Sequence, residues 1–251
     1  MKIILDSLQK NFGEKRAVDI DHYEIEQGTM LGLVGNNGAG KTTLFRLMLD
    51  LHQADAGTVT MMPNQEEPSA ENIPDKLPEY INPAESEEWK SITGAYIDEG
   101  FLIDYLTPEE YFDFIGKINS IGKAELTTRI NAFEKFMGGE ILGQKKLIRN
   151  MSAGNKQKIG IISAMLNRPQ LLILDEPFNF LDPSSQSQIK HLLKGFNEET
   201  GATIIISSHN LTHTVDICPQ IALLEQGKII KNINNENGTA EHELEEYFNV
   251  E

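Results

Sequence analysis

The chain has 251 residues, 39% of them apolar, with 38 acidic against 22 basic side chains and a formal net charge of −16. That length suits one large α/β domain or two small ones with a sizeable core, and so negative a charge argues against nucleic acid, which needs clustered Lys and Arg. No run approaches the ~18 apolar residues of a membrane span and the first residues lack a signal peptide's apolar segment, so the expected location is inside the cell.

Residues 2–8 read as a strand and Asn11-Phe12-Gly13 as a turn. Phe12 is either filler at that turn or a ring on which a purine stacks. Strands over 18–25 and 29–34 flank Gln27-Gly28. Next comes Gly35-Asn36-Asn37-Gly38-Ala39-Gly40-Lys41-Thr42-Thr43, between the apolar run 30–34 and Leu44, Phe45, Leu47, Met48 and Leu49, whose spacing suits a helix face. In a strand–loop–helix context, glycines let successive N–H groups converge on a phosphate, and the helix N-terminus adds partial positive charge. Lys41 then reaches the β- and γ-phosphates, and the Thr42 hydroxyl ligates Mg²⁺. This stretch points to a nucleoside triphosphate.

A short strand is expected over 58–62, then a surface excursion over 63–88 containing five prolines and many acids. A strand over 92–97 runs into Asp98-Glu99-Gly100. Phe101, Leu102, Ile103 and Tyr105 are read as core, with the lining of a partner's groove as the other possibility. Thr107-Pro108-Glu109-Glu110 carries an N-cap, a proline at the first helical position and a capping-box glutamate, starting a helix to about 118. A second helix fits 123–137, stopping at Gly138-Gly139, and a third runs from the Ser152 cap to 166.

Leu171-Leu172-Ile173-Leu174 has the aliphatic run of a strand buried on both faces of a parallel sheet. Asp182-Pro183 opens another helix, ending near Gly201, and 204–206 is a second buried strand leading to Ser207-Ser208-His209. Cys218 is the only cysteine, which excludes an internal disulfide; it is read as a buried apolar residue. A hairpin over 221–224 and 228–230 precedes an acidic helix over 241–248.

Asp175 and Glu176 follow the first buried strand. Ligands collect beyond the carboxyl ends of strands in open parallel sheets, so both should face the phosphates held by the glycine loop. Asp175 would hold Mg²⁺, and Glu176 would orient and deprotonate the attacking water. His209, after the next buried strand, can hydrogen-bond the γ-phosphate. Guanine specificity is not expected, because Asn155-Lys156-Gln157-Lys158 ends in Lys where a base-reading carboxylate is needed.

The order of these motifs carries a resemblance. The glycine loop, then Met151-Ser152-Ala153-Gly154-Asn155, then Leu-Leu-Ile-Leu-Asp-Glu-Pro, then Asn179-Phe180-Leu181-Asp182, then Ser-Ser-His resembles the nucleotide-binding subunit of an ABC transporter. The resemblance implies an α/β P-loop NTPase: a RecA-like parallel-sheet core with an N-terminal antiparallel β subdomain and an inserted helical subdomain. Within a single domain over 1–251, residues 1–97 and 167–230 would form the core, 98–166 the helical subdomain and 231–251 a tail helix.

It further implies Mg²⁺-dependent ATP hydrolysis, with Phe12 stacking on adenine and Gly35, Asn36, Asn37, Gly38, Ala39, Gly40, Lys41, Thr42 and Thr43 around the phosphates. Glu99 takes the place of the Q-loop glutamine beside the metal, and Asp182 belongs to the D-loop. Ser152 and Gly154 would approach the ATP held by a second cassette, in a homodimer or a related heterodimer. Ala153 and Asn155 depart from the family's Leu-Ser-Gly-Gly-Gln. An integral-membrane permease is the expected partner, with the chain peripheral on the cytoplasmic face, and residues 104–110 look more like exporter-type ATPases. The alternative is a soluble ABC-type ATPase acting on ribosomes or DNA.

Overall fold

The computed structural model describes residues 1–65, 77–235, 240, 243 and 244. In chain order, β1 (Lys2–Phe12) and β2 (Lys15–Ile25) form a long hairpin, and β3 (Met30–Val34) leads through the glycine loop into α1 (Lys41–Met48). β4 (Ala56–Met62), α2 (Trp89–Ile92) and β5 (Thr93–Tyr96) follow. A helical stretch contains α3 (Pro108–Ile118), α4 (Lys123–Asn131), α5 (Glu134–Met137) and α6 (Ala153–Met165). The chain then returns to strands through β6 (Leu171–Leu174), α7 (Pro183–Thr200), β7 (Thr203–Ser208), α8 (Leu211–Val215), β8 (Gln220–Glu225) and β9 (Lys228–Asn234).

Two sheets result. One is antiparallel, in the order β2-β1-β4; the other runs β5-β6-β7-β3-β8-β9, parallel except for the β9 edge. The aliphatic strands of the second sheet are buried on both faces, as their composition requires. Leu172, Leu174, Ile204 and Ile206 pack into a cluster with the helices, whereas Leu171, Ile173, Ile205, Leu31 and Leu33 face a second cluster shared with α1 and the antiparallel sheet. Each such Leu or Ile contributes about 1.5–3 kcal/mol by leaving water.

The capping box at α3 forms as expected: Thr107 Oγ1 accepts the Glu110 N–H at 3.3 Å, and Glu110 Oε2 accepts the Thr107 N–H at 2.8 Å. Four expectations are corrected. The turn read at 11–13 lies later, because β1 extends through Phe12 to pair with Lys15. The strand read over 92–97 begins only at Thr93, since a helical turn first buries Trp89 and Ile92. The helix read over 123–137 breaks where Phe133 leaves helical geometry (φ −96°, ψ 5°), so α4 buries Leu126 while α5 buries Phe136 and Met137.

Finally, the excursion over 63–88 is not all surface. Ile81 exchanges two backbone hydrogen bonds with Met61, each of 2.8 Å, and is buried beside Leu77. Its residues 66–76 lie outside the described residues, as does most of the helix expected over 241–248. Ala240 and Leu244 are buried and helical. No helix among the described residues is long and apolar enough to cross a membrane.

Candidate active site

Because β6, β7 and β3 are neighbours, their carboxyl ends bring Asp175, Glu176, Ser207 and the glycine loop together. The loop needs its glycines. Gly40 sits at φ +114°, and a Cβ there would lie 2.2 Å from the Ala17 carbonyl oxygen; one on Gly35 would lie equally close to the Leu224 carbonyl oxygen. Lys41 opens α1 and is buried, its Nζ donating to the carbonyls of Gly35 at 2.6 Å and Asn36 at 3.4 Å.

Thr42 Oγ1 donates to Asp175 Oδ2 at 2.5 Å, and the Ser207 hydroxyl donates to Asp175 Oδ1. Burial pushes the Asp175 carboxyl above its ordinary value, against the pull of the Ser207 and Thr42 hydroxyls. Beside it, Glu176 has a left-handed backbone at φ +48°, a conformation costing about 1–3 kcal/mol. Three bonds hold that backbone: its N–H donates to Ser207 Oγ at 2.8 Å, and its carbonyl accepts from Gln157 Nε2 at 3.1 Å and from the Asn179 N–H at 3.2 Å. The turn aims the carboxylate between two groups, Lys41 Nζ at 3.6 Å from Oε1 and His209 Nδ1 at 2.8 Å from Oε2.

His209 was expected at the γ-phosphate. Its Nδ1 lies 2.8 Å from Glu176 Oε2, and Nε2 is the nitrogen left for such a ligand.

A cavity of about 260 Å³ is lined by Phe12, Asn37, Gly38, Ala39, Gly40, Lys41, Thr42, Thr43 and Glu176, together with Lys15 and Ala17. Phe12 is half-exposed at the end of β1, edge-on to His52 with ring centroids 5.6 Å apart. Ser152 and Gly154 do not line this cavity. Ser152 caps α6, accepting the Asn155 N–H at 3.2 Å, and Gly154 packs so closely on the Phe180 carbonyl that a Cβ would come within 2.7 Å.

Glu99 shares a second cavity, of about 270 Å³, with Asp175, Glu176, Ala153 and Phe180. Its Oε2 accepts from Lys156 Nζ at 3.0 Å. Among the described residues no group of three or more His, Cys, Asp and Glu forms a metal cage. Thr42 and Asp175 do supply two hard oxygen donors side by side. That set fits Mg²⁺, which takes one or two carboxylates and completes its shell with water and substrate phosphates. Asp182 caps α7, with the N–H groups of Ser184 and Ser185 at 2.9 and 3.1 Å.

Sequence reasoning missed Ser207, Gln157, Lys15 and Lys156. Only Ser207 left a signal, as the hydroxyl ending a buried strand two residues before His209.

Of the chain, residues 18–179 match the family model described as ABC transporter. An uncharacterized ABC transporter ATP-binding protein of Synechocystis is 32% identical over 207 residues, covering 82% of this chain and 53% of that protein. The bacitracin transport ATP-binding protein BcrA of Enterococcus faecalis is 30% identical, covering 91% of this chain and 68% of that protein. A methionine import ATP-binding protein, MetN 3 of Bacillus cereus, is 30% identical over 91% of this chain and 64% of its own length. The chain thus spans between about half and two thirds of the length of these relatives.

Among solved structures, the dimeric ATP-binding cassette MJ0796 bound to ADP and Pi superposes with a TM-score of 0.76 at 20% identity, covering 94% of this chain and 99% of that one. CbiO1 of Clostridium perfringens, part of the ABC transporter complex cbiONQ, gives a TM-score of 0.70 at 24% identity over 99% of this chain and 94% of that one. The fold is that of ABC ATPase cassettes, as the motif order implied. With the family model spanning well over half of the sequence, the chain belongs to the ABC transporter family as one of its ATP-binding proteins.

Proposed function

We propose that this chain binds ATP with Mg²⁺ and hydrolyses it at the interface of two cassettes, driving a separate membrane-spanning permease from the cytoplasmic face. The observation that carries the reading is the Thr42–Asp175 bond of 2.5 Å, which ties the glycine loop to the strand end bearing Glu176. Phe12 stacks on adenine, and the N–H groups of residues 35–43 receive the phosphates. Lys41 exchanges the Gly35 and Asn36 carbonyls for phosphate oxygens. Thr42 and Asp175 hold Mg²⁺, which when bound neutralises charge developing on the phosphates.

Glu176 accepts the proton of the attacking water on its carboxylate, and His209 fixes the orientation of that carboxylate through Oε2. Glu99, now paired with Lys156, would lend its carboxylate to the metal on giving up that partner. Ser152 and Gly154 meet the ATP of the second cassette, either an identical chain or a related one.

The permease-facing surface is assigned to residues 101–118. Among the described residues, five of the ten exposed large hydrophobic side chains lie there: Phe101, Ile103, Tyr105, Phe114 and Ile118. Leu102 is buried, so the expectation that residues 101–105 form core holds for it and fails for its neighbours. Export is the direction favoured by the resemblance of residues 104–110, although MetN 3 is named for import.

The test is capture of the protein from detergent-solubilised native membranes and identification of what accompanies it. Co-purification of a multi-span permease, lost in Phe101→Ser/Tyr105→Ser with ATP affinity intact, is the expected result. Recovery with ribosomal or DNA-repair components alone would overturn it.

A further inference from the structure

We propose that the open cavity lined by α4, α5 and α7 is a binding site for a small amphiphilic carboxylate, an anion with a hydrocarbon or aryl body. The cavity holds about 570 Å³, inside the range of about 300–1,000 Å³ typical of ligand pockets, and it is separate from both cavities at the nucleotide site. Its apolar lining comes from Phe133 and Phe136 on one side, Leu192 and Phe196 of α7 on the other, and Met165 at the end of α6. An apolar body fits that lining.

Gly195 also borders the space, inside the 18-residue helix α7. Glycine is a poorer helix former than alanine there, yet no atom lies within 4 Å of where a Cβ would stand. Packing therefore does not demand the glycine. What its missing side chain provides is room.

The charge of the lining selects an anion. Arg129, Lys135 and Arg168 border the cavity and Glu199 is the one acidic residue among its lining, in a chain of net charge −16. Arg129 is already used, by the Leu166 carbonyl at 2.7 Å and by Glu125, and Arg168 pairs with Glu199 at 2.7 Å. Lys135 makes no ion pair among the described residues, which leaves an ammonium for a ligand carboxylate. Two polar groups add to it. His191 spends Nδ1 on the Ser187 carbonyl at 2.7 Å, keeping Nε2 in reserve, and Gln188 lines the cavity with a buried Oε1 that has no hydrogen-bond partner. One spare ammonium over an apolar floor suits a monoanion with a greasy body better than a phosphate, which needs a denser set of donors.

The site lies where a ligand bears on the nucleotide region. Met165 ends the helix that Ser152 begins, and α7 starts at Asp182. Binding itself needs no nucleotide, so this proposal and the ATPase reading fail separately.

The experiment titrates the whole chain, without ATP, with decanoate and with decanol. It follows heat and the ¹³C-methyl signals of its eight methionines, with Met165→Leu assigning the relevant one. Decanoate is expected to bind saturably and shift the Met165 methyl, with decanol about tenfold weaker. Gly195→Leu should abolish the shift while retaining cooperative melting. Gly195→Ala, which favours the helix, should weaken binding while raising the melting temperature. Lys135→Gln should weaken decanoate about tenfold and leave decanol unchanged. Decanol binding as tightly as decanoate, an unmoved Met165 signal, or unchanged binding in Gly195→Leu and Gly195→Ala would each overturn the proposal.

Discussion

At the glycine-loop end of the site, the charged groups have partners inside the chain: Lys41 with two carbonyls and Glu176, Asp175 with two hydroxyls, and Glu176 with His209. Around Ser152, Gly154 and Phe180, the surface is left open instead. Phe180 is 73% exposed on a left-handed backbone, and the Ser152 hydroxyl does no more than cap its own helix. The first end can receive a ligand by exchanging partners one for one. The second presents Phe180 to solvent and is the face proposed above to meet a second cassette.

The largest expected effect separates the two ends. Glu176→Gln should slow ATP hydrolysis by about 10²–10⁴-fold while keeping ATP affinity, and light scattering should find an ATP-trapped dimer. If it binds ATP yet stays monomeric at high concentration, the open end does not pair with a copy of itself, and a related cassette becomes its partner. Lys41→Ala comes next, with a loss of about 100-fold in ATP affinity by fluorescent-nucleotide titration, since two or more charge-assisted bonds disappear. Unaltered affinity would mean that the carbonyl partners of Lys41 are its permanent ones.

Phe12→Ala should cost about tenfold in affinity, in line with 1–3 kcal/mol for a stacked base, without changing the melting temperature. Ser152→Ala should lower stability by about 1 kcal/mol through loss of the cap in denaturant melts, and reduce turnover without touching ATP affinity. The smallest effect is a pH dependence. The folded state holds Asp175 above its ordinary value of 3.8, so its ionised form costs stability at neutral pH; that cost shrinks as pH falls through the raised folded value and is gone below 3.8. Asp175→Asn should therefore melt higher than the unaltered chain at pH 7.5 in the absence of nucleotide, with the difference closing in acid.

What could be read from sequence was local. Residues 35–43 declare themselves because the glycines, Lys41 and Thr42 act within one strand–loop–helix unit, and Thr107 with Glu110 closes a box over a single turn. The four aliphatics of β6 announce a doubly buried strand with no knowledge of its neighbours. Contacts between distant segments were not legible. Nothing near Glu99 indicates that Lys156, 57 positions later, will take its carboxylate. The burial of Leu102 between exposed Phe101 and Ile103 depends on how the helices dock, and an apolar run alone cannot say which of its members turns inward. The cavity beside Gly195 is hidden for the same reason, since its walls come from three separate segments, 129–136, 165–168 and 187–199.

The six-stranded sheet divides its side chains between two cores, with Leu171 and Ile173 on one side and Leu172 and Leu174 on the other. The strands carrying Asp175 and Ser207 therefore cannot be released by melting either core alone. Their backbone amides should be among the last to exchange with deuterated solvent, and those of exposed Ile103 and Tyr105 among the first. The residues proposed to hold nucleotide would keep their mutual distances while the surface proposed to meet a partner loosens and re-forms.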